Sequence, residues 1–258
     1  MSVFARSLLH LSIGLALAAS AGLSGAQDAA IPGAVPIAAV PVVAVVRVPK
    51  PWYAPKTVVA GKMRDTIADY VQLPGLLFKA YSFERESGDF GGLYYWRDRR
   101  GAEAWFSPAW FERVRKERGA EGSVRLFEAP VSIDNTPGGT APDEHSQTVS
   151  TLVEIAVPAG LTRERLAAEF AAAVPTYQKV PGLLRKHFIL SAKGTFGGIY
   201  IWRDEASARA WFNPAWHQRV QATYGQQAVI EWFDTPILLP TRNRGNPLPL
   251  SNLIVAAP

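Results

Sequence analysis

The sequence predicts an α+β fold in which two copies of one β-α-β-β-α-β unit pack sheet to sheet within a single chain. The first observation behind this is a repeated phrase: FGGLYYWRDRRGAEAWFSPAW at 90–110 returns as FGGIYIWRDEASARAWFNPAW at 196–216. Aligned without gaps, residues 91–130 and 197–236 agree at 18 of 40 positions, and PGLLFK (74–79) matches PGLLRK (181–186) at five of six. A period this long cannot be a solenoid repeat, so each copy is expected to be a small domain. The second observation is that alternating strand patterns and helical patterns succeed one another in the same order in both copies. The third is a physical requirement. An antiparallel sheet with helices on one face leaves its other face apolar and in need of a cover, and two such sheets in one chain can cover each other.

Residues 1–26 read as a signal peptide. Arg6 lies in a short n-region, Leu8 to Leu23 form an apolar run, and small residues at Ser24 and Ala26 suit cleavage before Gln27, with Ala19 and Ala21 an earlier option. The run is short for a bilayer span, so export to the periplasm or outside the cell is expected, with no stable membrane insertion after cleavage; retention as an anchor is the alternative. Residues 27–40 form an Ala/Pro-rich extended lead-in, interrupted by Pro32 and Pro36. The first unit then spans 41–135, a linker rich in Pro, Gly and Thr covers 136–147, the second unit spans 148–242, and 243–258 form a tail.

The second unit shows its elements more plainly. TLVEIAV (151–157) alternates and is β-branched, which predicts a strand. A helix is expected from Thr162, its N-cap, to Gln178, with Pro175 able to kink or end it early. LLRKHFIL (183–190) and GGIYIW (197–202) are strands, with a turn at 194–196 between them. Asp204 caps a further helix through Ala210. Pro214 inside a continuous helix would cost about 3 kcal/mol, so that helix is expected to break at Asn213 and restart at Pro214, running to Tyr224. AVIEWFD (228–234) is the last strand. The first unit repeats this order, with its break at Ser107-Pro108 and SVRLFEAPVSI as its final strand. The arrangement is the ferredoxin-like split βαβ unit.

Composition narrows the function. The chain has 258 residues, 48% hydrophobic and 19% charged, and a net charge of +5 with no long Lys/Arg run, so a nucleic-acid-binding stripe is not expected. It contains no Cys, which excludes disulfides, thiolate nucleophiles and Cys-ligated metals. The His spacing fits no metal site, and there is no phosphate-cradling glycine loop, nucleophile elbow, or flavin or nicotinamide fingerprint. Neither a metal nor a cofactor is therefore expected.

The motifs PGLLxK and GG[IL]YxWRD, then a helix and YG…WFDTP or LFEAP, resemble the YdhR-like group of monooxygenase-like proteins within the dimeric α/β-barrel superfamily. The resemblance covers roughly 60–135 and 165–240. It implies that the tandem is a single-chain counterpart of a homodimer, a monomer that is an internal pseudo-dimer. It also implies a ligand pocket in each unit between sheet and helices, and a cofactor-independent oxygenase acting on a small aromatic or quinol-type substrate. The alternative is a non-catalytic exported protein that binds an apolar or aromatic ligand. A looser similarity to the chlorite dismutase group would make His217 a haem ligand.

Within that frame the candidate catalytic residues are Lys79, Lys186 and His187. A strand lysine that is buried becomes a base or a partner for a phenolate, because burial lowers its pKa; the plainer alternative is a rim lysine paired with an acid. His187 and His217 occur only in the second unit, where the first has Ala80 and Phe111. The candidate ligand-binding residues are Tyr94, Trp96, Trp105 and Trp110, with their counterparts Tyr200, Trp202, Trp211 and Trp216. They form either a flat apolar pocket wall or the packing of helix on sheet. Asp98 and Asp204 are read as helix caps, and Arg97 and Arg203 as carboxylate binders or strand-end ion pairs. Alternation puts Tyr200 and Trp202 on one strand face, and Lys186 and Phe188 on the opposite face of their strand from Arg185 and His187, without saying which face is inward.

Overall fold

Each half of the chain lays down four antiparallel strands and places its helices on one face of them. The computed structural model describes residues 40–136 and 147–240. The expected signal peptide, the lead-in before residue 40, most of the linker and the C-terminal tail lie outside the described residues. Half 1 comprises β1 (Val42–Val48), α1 (Lys56–Asp65), α2 (Ile67–Val71), β2 (Leu76–Glu84), β3 (Phe90–Trp96), α3 (Arg99–Trp105), α4 (Pro108–Arg118) and β4 (Ser123–Asp134). Half 2 comprises β5 (Val149–Ala156), α5 (Arg163–Tyr177), β6 (Leu183–Ser191), β7 (Thr195–Trp202), α6 (Glu205–Trp211), α7 (Pro214–Tyr224) and β8 (Val229–Pro240). The protein is thus α+β, with two ferredoxin-like units joined as a single-chain dimeric α/β barrel.

The strands run β4-β1-β3-β2 in half 1 and β8-β5-β7-β6 in half 2. The two sheets do more than face each other. β2 pairs with β8 and β4 with β6, all antiparallel, so both seams are hydrogen-bonded and the barrel closes. Closure removes the edge strands that would otherwise be open to pairing with other chains. It also explains why β8 continues six residues past the expected end at Asp234: residues 237–240 pair with β2 of the other half. Pro236 sits where that pairing slips register, between Tyr81 and Phe83, and Pro130 sits at the equivalent slip in the β4–β6 seam. A proline there removes no ladder hydrogen bond.

The helix termini follow the local chemistry. Asp98 Oδ1 accepts from the Gly101 N–H and Asp204 Oδ1 from the Ser207 N–H, both at 2.7 Å, and Thr162 caps α5. The second helix of each unit breaks before Pro108 and Pro214, and Asn213 caps the restart through the Trp216 N–H. Gly119 and Gly225, at φ 65° and 72°, end α4 and α7 in the left-handed conformation a glycine adopts at low cost. Pro175 does not end α5, which runs through it to Tyr177; the equivalent helix of half 1 is instead split at Thr66, whose hydroxyl turns to Met63 O and Tyr81 Oη.

Three apolar regions result. The barrel interior mixes both halves: Val43, Val45, Ala80, Leu93 and Phe127 meet Leu152, Ile189, Ile199, Ile201 and Phe233. Separate cores lie beneath the helices of half 1 and half 2. Ion pairs tie the halves together across the pseudo-twofold axis: Arg47 and Arg125 of half 1 meet Glu231 and Glu154 of half 2, and Lys56–Asp234 is matched by Arg163–Glu128. Among the described residues no helix is long and apolar enough to cross a membrane.

The glycine pairs of the repeated phrase have distinct reasons. A methyl on Gly91 or Gly197 would fall on the backbone carbonyl of Val46 or Val153 in the neighbouring strand. Gly91→Ala and Gly197→Ala should therefore each cost about 1–3 kcal/mol, read as a lower midpoint in urea unfolding with unchanged slope.

Candidate functional site

The alternation left open by the sequence is resolved by burial. Lys79, Tyr81, Tyr94 and Trp96 face the helices of half 1, and Lys186, Phe188, Tyr200 and Trp202 those of half 2. Arg185 and His187, with Tyr95, face into the barrel. The three candidate catalytic residues therefore do not form one group: Lys186 and His187, adjacent in sequence, lie on opposite faces of the sheet.

Each lysine is enclosed by aromatic rings. Lys79 Nζ lies 3.1 Å from the Tyr70 ring centroid, 3.6 Å from Tyr81 and 4.5 Å from Tyr94. Lys186 Nζ lies 3.1 Å from Tyr177, 3.7 Å from Phe188 and 4.6 Å from Tyr200. Both lysines are 2% exposed, and neither has a carboxylate partner among the described residues, so the rim ion pair is not what forms. Removing an ammonium from water without an acid to pair it favours the neutral amine, and burial holds both lysines well below the ordinary lysine pKa. The rings attract a cation by their quadrupoles, but such contacts offset only part of that loss. Gly92 and Gly198 make the room, since a Cβ on either would press on the lysine Cε and the tyrosine ring.

The cage has a thin side. Tyr70 ends on α2 and Tyr177 is the last residue of α5; both are half-buried, whereas Tyr94 and Tyr200 are fully buried and their hydroxyls are pushed well above the usual phenol pKa by that burial. Against each outer tyrosine lies a tryptophan: Trp105 is 5.7 Å from Tyr70 and Trp211 is 5.2 Å from Tyr177. The indole N–H groups of Trp105 and Trp211 are buried and have no hydrogen-bond partner among the described residues. An orphaned donor at the same place in both halves, beside the tyrosine that covers the lysine, suits a ligand oxygen. Sequence reasoning missed the outer rings Tyr70 and Tyr177, and with them Tyr81 and Phe188. The signal was present, for each outer tyrosine stands nine residues before its lysine, in YVQLPGLLFK and YQKVPGLLRK.

The remaining candidates pack. Trp96 and Trp202 lie on the sheet beneath Phe106 and Phe212, which in turn meet Trp110 and Trp216 edge-on. These rings fill the space between sheet and helices. Trp202 Nε1 donates to Thr151 Oγ1 at 3.2 Å. Arg97 and Arg203 are exposed at the strand ends, and Arg203 pairs with Asp204. His187 bonds Ser132 Oγ through Nδ1 at 2.8 Å and stacks on Tyr95 at 4.2 Å; burial, with Arg185 nearby, lowers its pKa to about 3, so it is neutral at ordinary pH. His217 lies at an open surface cleft rather than in a deep slot, an arrangement that does not fit a haem ligand. Among the described residues no group of three or more His, Cys, Asp or Glu could hold a metal.

No protein-family model matches the chain, and no curated protein sequence matches it significantly. Solved structures do. A protein of Fusobacterium nucleatum provisionally designated a monooxygenase superposes with TM-score 0.59 at 12% identity, covering 78% of this chain and 95% of that one. One of Lactobacillus acidophilus with the same designation superposes with TM-score 0.56 at 10% identity, covering 78% and 96%. At such low identity the likeness establishes the fold.

The caged lysines set a pH dependence. Their folded pKa lies below the unfolded one, so the unfolded chain binds more protons between the two values and stability rises with pH there. Just below the unfolded lysine value stability should rise with pH, by at most about 1 kcal/mol per pH unit for each lysine that loses its proton in the fold first. Replacing both with Met should flatten that rise and stabilise the protein at pH 7, measured by urea unfolding at fixed ionic strength.

Proposed function

We propose that the protein is an exported, cofactor-independent monooxygenase for a small electron-rich aromatic, a phenol or quinol, and a tandem member of the YdhR-like group. The observation that supports this most directly is the buried lysine amine, its pKa lowered by desolvation, held among three rings in each half, with an indole N–H that has no partner among the described residues beside the half-buried tyrosine that covers it. Once the outer tyrosine moves aside, a flat ring takes its place over the amine. The amine accepts the phenolic proton, and the phenolate and ammonium stabilise each other where water is excluded. The phenolate passes one electron to O2, and the resulting radical and superoxide join at a ring carbon. The ammonium returns its proton to the peroxide. Loss of the ring proton to the amine and of hydroxide from the O–O bond leaves a carbonyl and water. One oxygen atom enters the product, the other leaves in water, and the substrate supplies every electron. The apolar run Leu8–Leu23 supports export, and the closed barrel supports a monomer.

Oxygen uptake with a panel of naphthols and hydroquinones tests this reading. Turnover of at least one, falling by about 10²–10⁴-fold in Lys79→Met/Lys186→Met, is the expected result; no uptake with any of them would overturn it. A second reading is favoured by the rings that fill the space under the helices: a non-catalytic protein that binds an apolar or aromatic ligand. It predicts tryptophan quenching by the same compounds with no oxygen consumed. Export predicts recovery from the periplasm or medium with Gln27 as the mature N-terminus, read by N-terminal sequencing.

A further inference from the structure

One cleft is lined in part by residues that the twin half does not share. Beside the break between α6 and α7, half 2 opens a surface hollow of about 490 Å³, within the range of small-molecule sites. Its walls are rings and aliphatic groups: Phe212 and Trp232, with centroids 6.2 Å apart, together with Pro214 and Ile230. Its polar groups are Arg209, His217 and Asn213, whose amide already accepts from the Trp216 N–H and donates to Ala210 O. The Arg209 guanidinium lies 5.0 Å from the Trp232 ring centroid, and Glu205 engages its Nε and one terminal nitrogen. Nη1 has no partner among the described residues. His217 stands in the first turn of α7, edge-on to Trp216 at 5.0 Å, and its ring nitrogens bond no side chain or backbone group among the described residues. The N-terminal end of α7, an eleven-residue helix, adds a positive field at the same rim.

Half 1 differs at three of these positions. Glu103 stands for Arg209, Phe111 for His217 and Leu126 for Trp232. Phe111 meets Trp110 edge-on at 4.9 Å just as His217 meets Trp216, so half 2 keeps the ring contact and adds two ring nitrogens at the cleft. Two flat rings, two basic groups and a helix N-terminus gathered in one half form a concave site complementary to a planar anion.

We propose that this cleft binds a planar aromatic carboxylate, one molecule per chain, with its ring against Trp232 and Phe212 and its carboxylate toward Arg209 and His217. Phe212 also touches Tyr200 at 5.3 Å, the inner ring of the Lys186 cage, so a wall of the cleft is in contact with a ring of the cage. The site stands independently of turnover at the lysines.

The test is titration of the full chain with 2-naphthoate, followed by calorimetry and by the His217 ring resonances in proton NMR. The expected result is saturable binding of one equivalent that shifts the His217 signals. Affinity should fall at least tenfold in Arg209→Gln and in His217→Phe, the half-1 residue, and the neutral analogue 2-naphthamide should bind at least tenfold more weakly. Both side chains lie at the surface of α6 and α7, and a thermal melt of each variant checks the fold. No binding at millimolar 2-naphthoate, two equivalents bound, affinity unchanged in both variants, or equal affinity for the amide would overturn the proposal. Oxygen uptake is read separately, so binding without uptake would leave this site standing while removing the oxygenase reading.

Discussion

Everything in this molecule depends on the closure of the barrel by backbone pairing between its halves. A four-stranded antiparallel sheet with helices on one side has a second apolar face, and in water that face must be covered. Here the cover is the other half, and the two edges of each sheet are also joined, β2 to β8 and β4 to β6. The long final strands, twelve residues each, make this possible by leaving their own sheet through a register slip at Pro130 or Pro236 and finishing on the partner sheet. Neither half can complete its hydrogen bonding alone.

An interface between two identical units is self-complementary, because each patch meets a copy of itself across the twofold axis. The two halves of this chain are not bound by that constraint. Arg47 and Arg125 in half 1 correspond to Glu154 and Glu231 in half 2, and at the interface they meet as opposite charges. Two identical halves would set arginine against arginine. The same divergence appears on the surface, where half 2 gains Arg209 and His217 around an open cleft and half 1 keeps Glu103 and Phe111. The lysine cages, by contrast, remain nearly the same in both halves, with Phe188 in place of Tyr81 the one changed ring.

A lysine buried without an acid is a costly residue to keep, and the fold provides for it twice by the same means. The glycine at 92 or 198 gives the stem room, two rings come from the sheet, and the third comes from the helix that covers it. Desolvation thereby lowers the amine's pKa, with no carboxylate paired to it among the described residues. His187, one residue along the strand, reaches a neutral state by burial too, but inside the barrel and bonded to Ser132, where the sheet separates it from the cage.

The sequence by itself determined the repeat, the order of the elements, the helix caps at Asp98 and Asp204 and the breaks at Pro108 and Pro214, because each follows from local rules of period, capping and proline geometry. It also marked Lys79 and Lys186 by their recurrence after PGLL. It did not determine which strand face was inward, since alternation specifies two faces and not their surroundings. The extension of β8 past Asp234, the lowered pKa of the lysines and the separation of Lys186 from His187 were decided by tertiary structure alone. Each depends on what the other half of the chain, or a helix far away in sequence, places against that position, and desolvation is a property of the assembled surroundings.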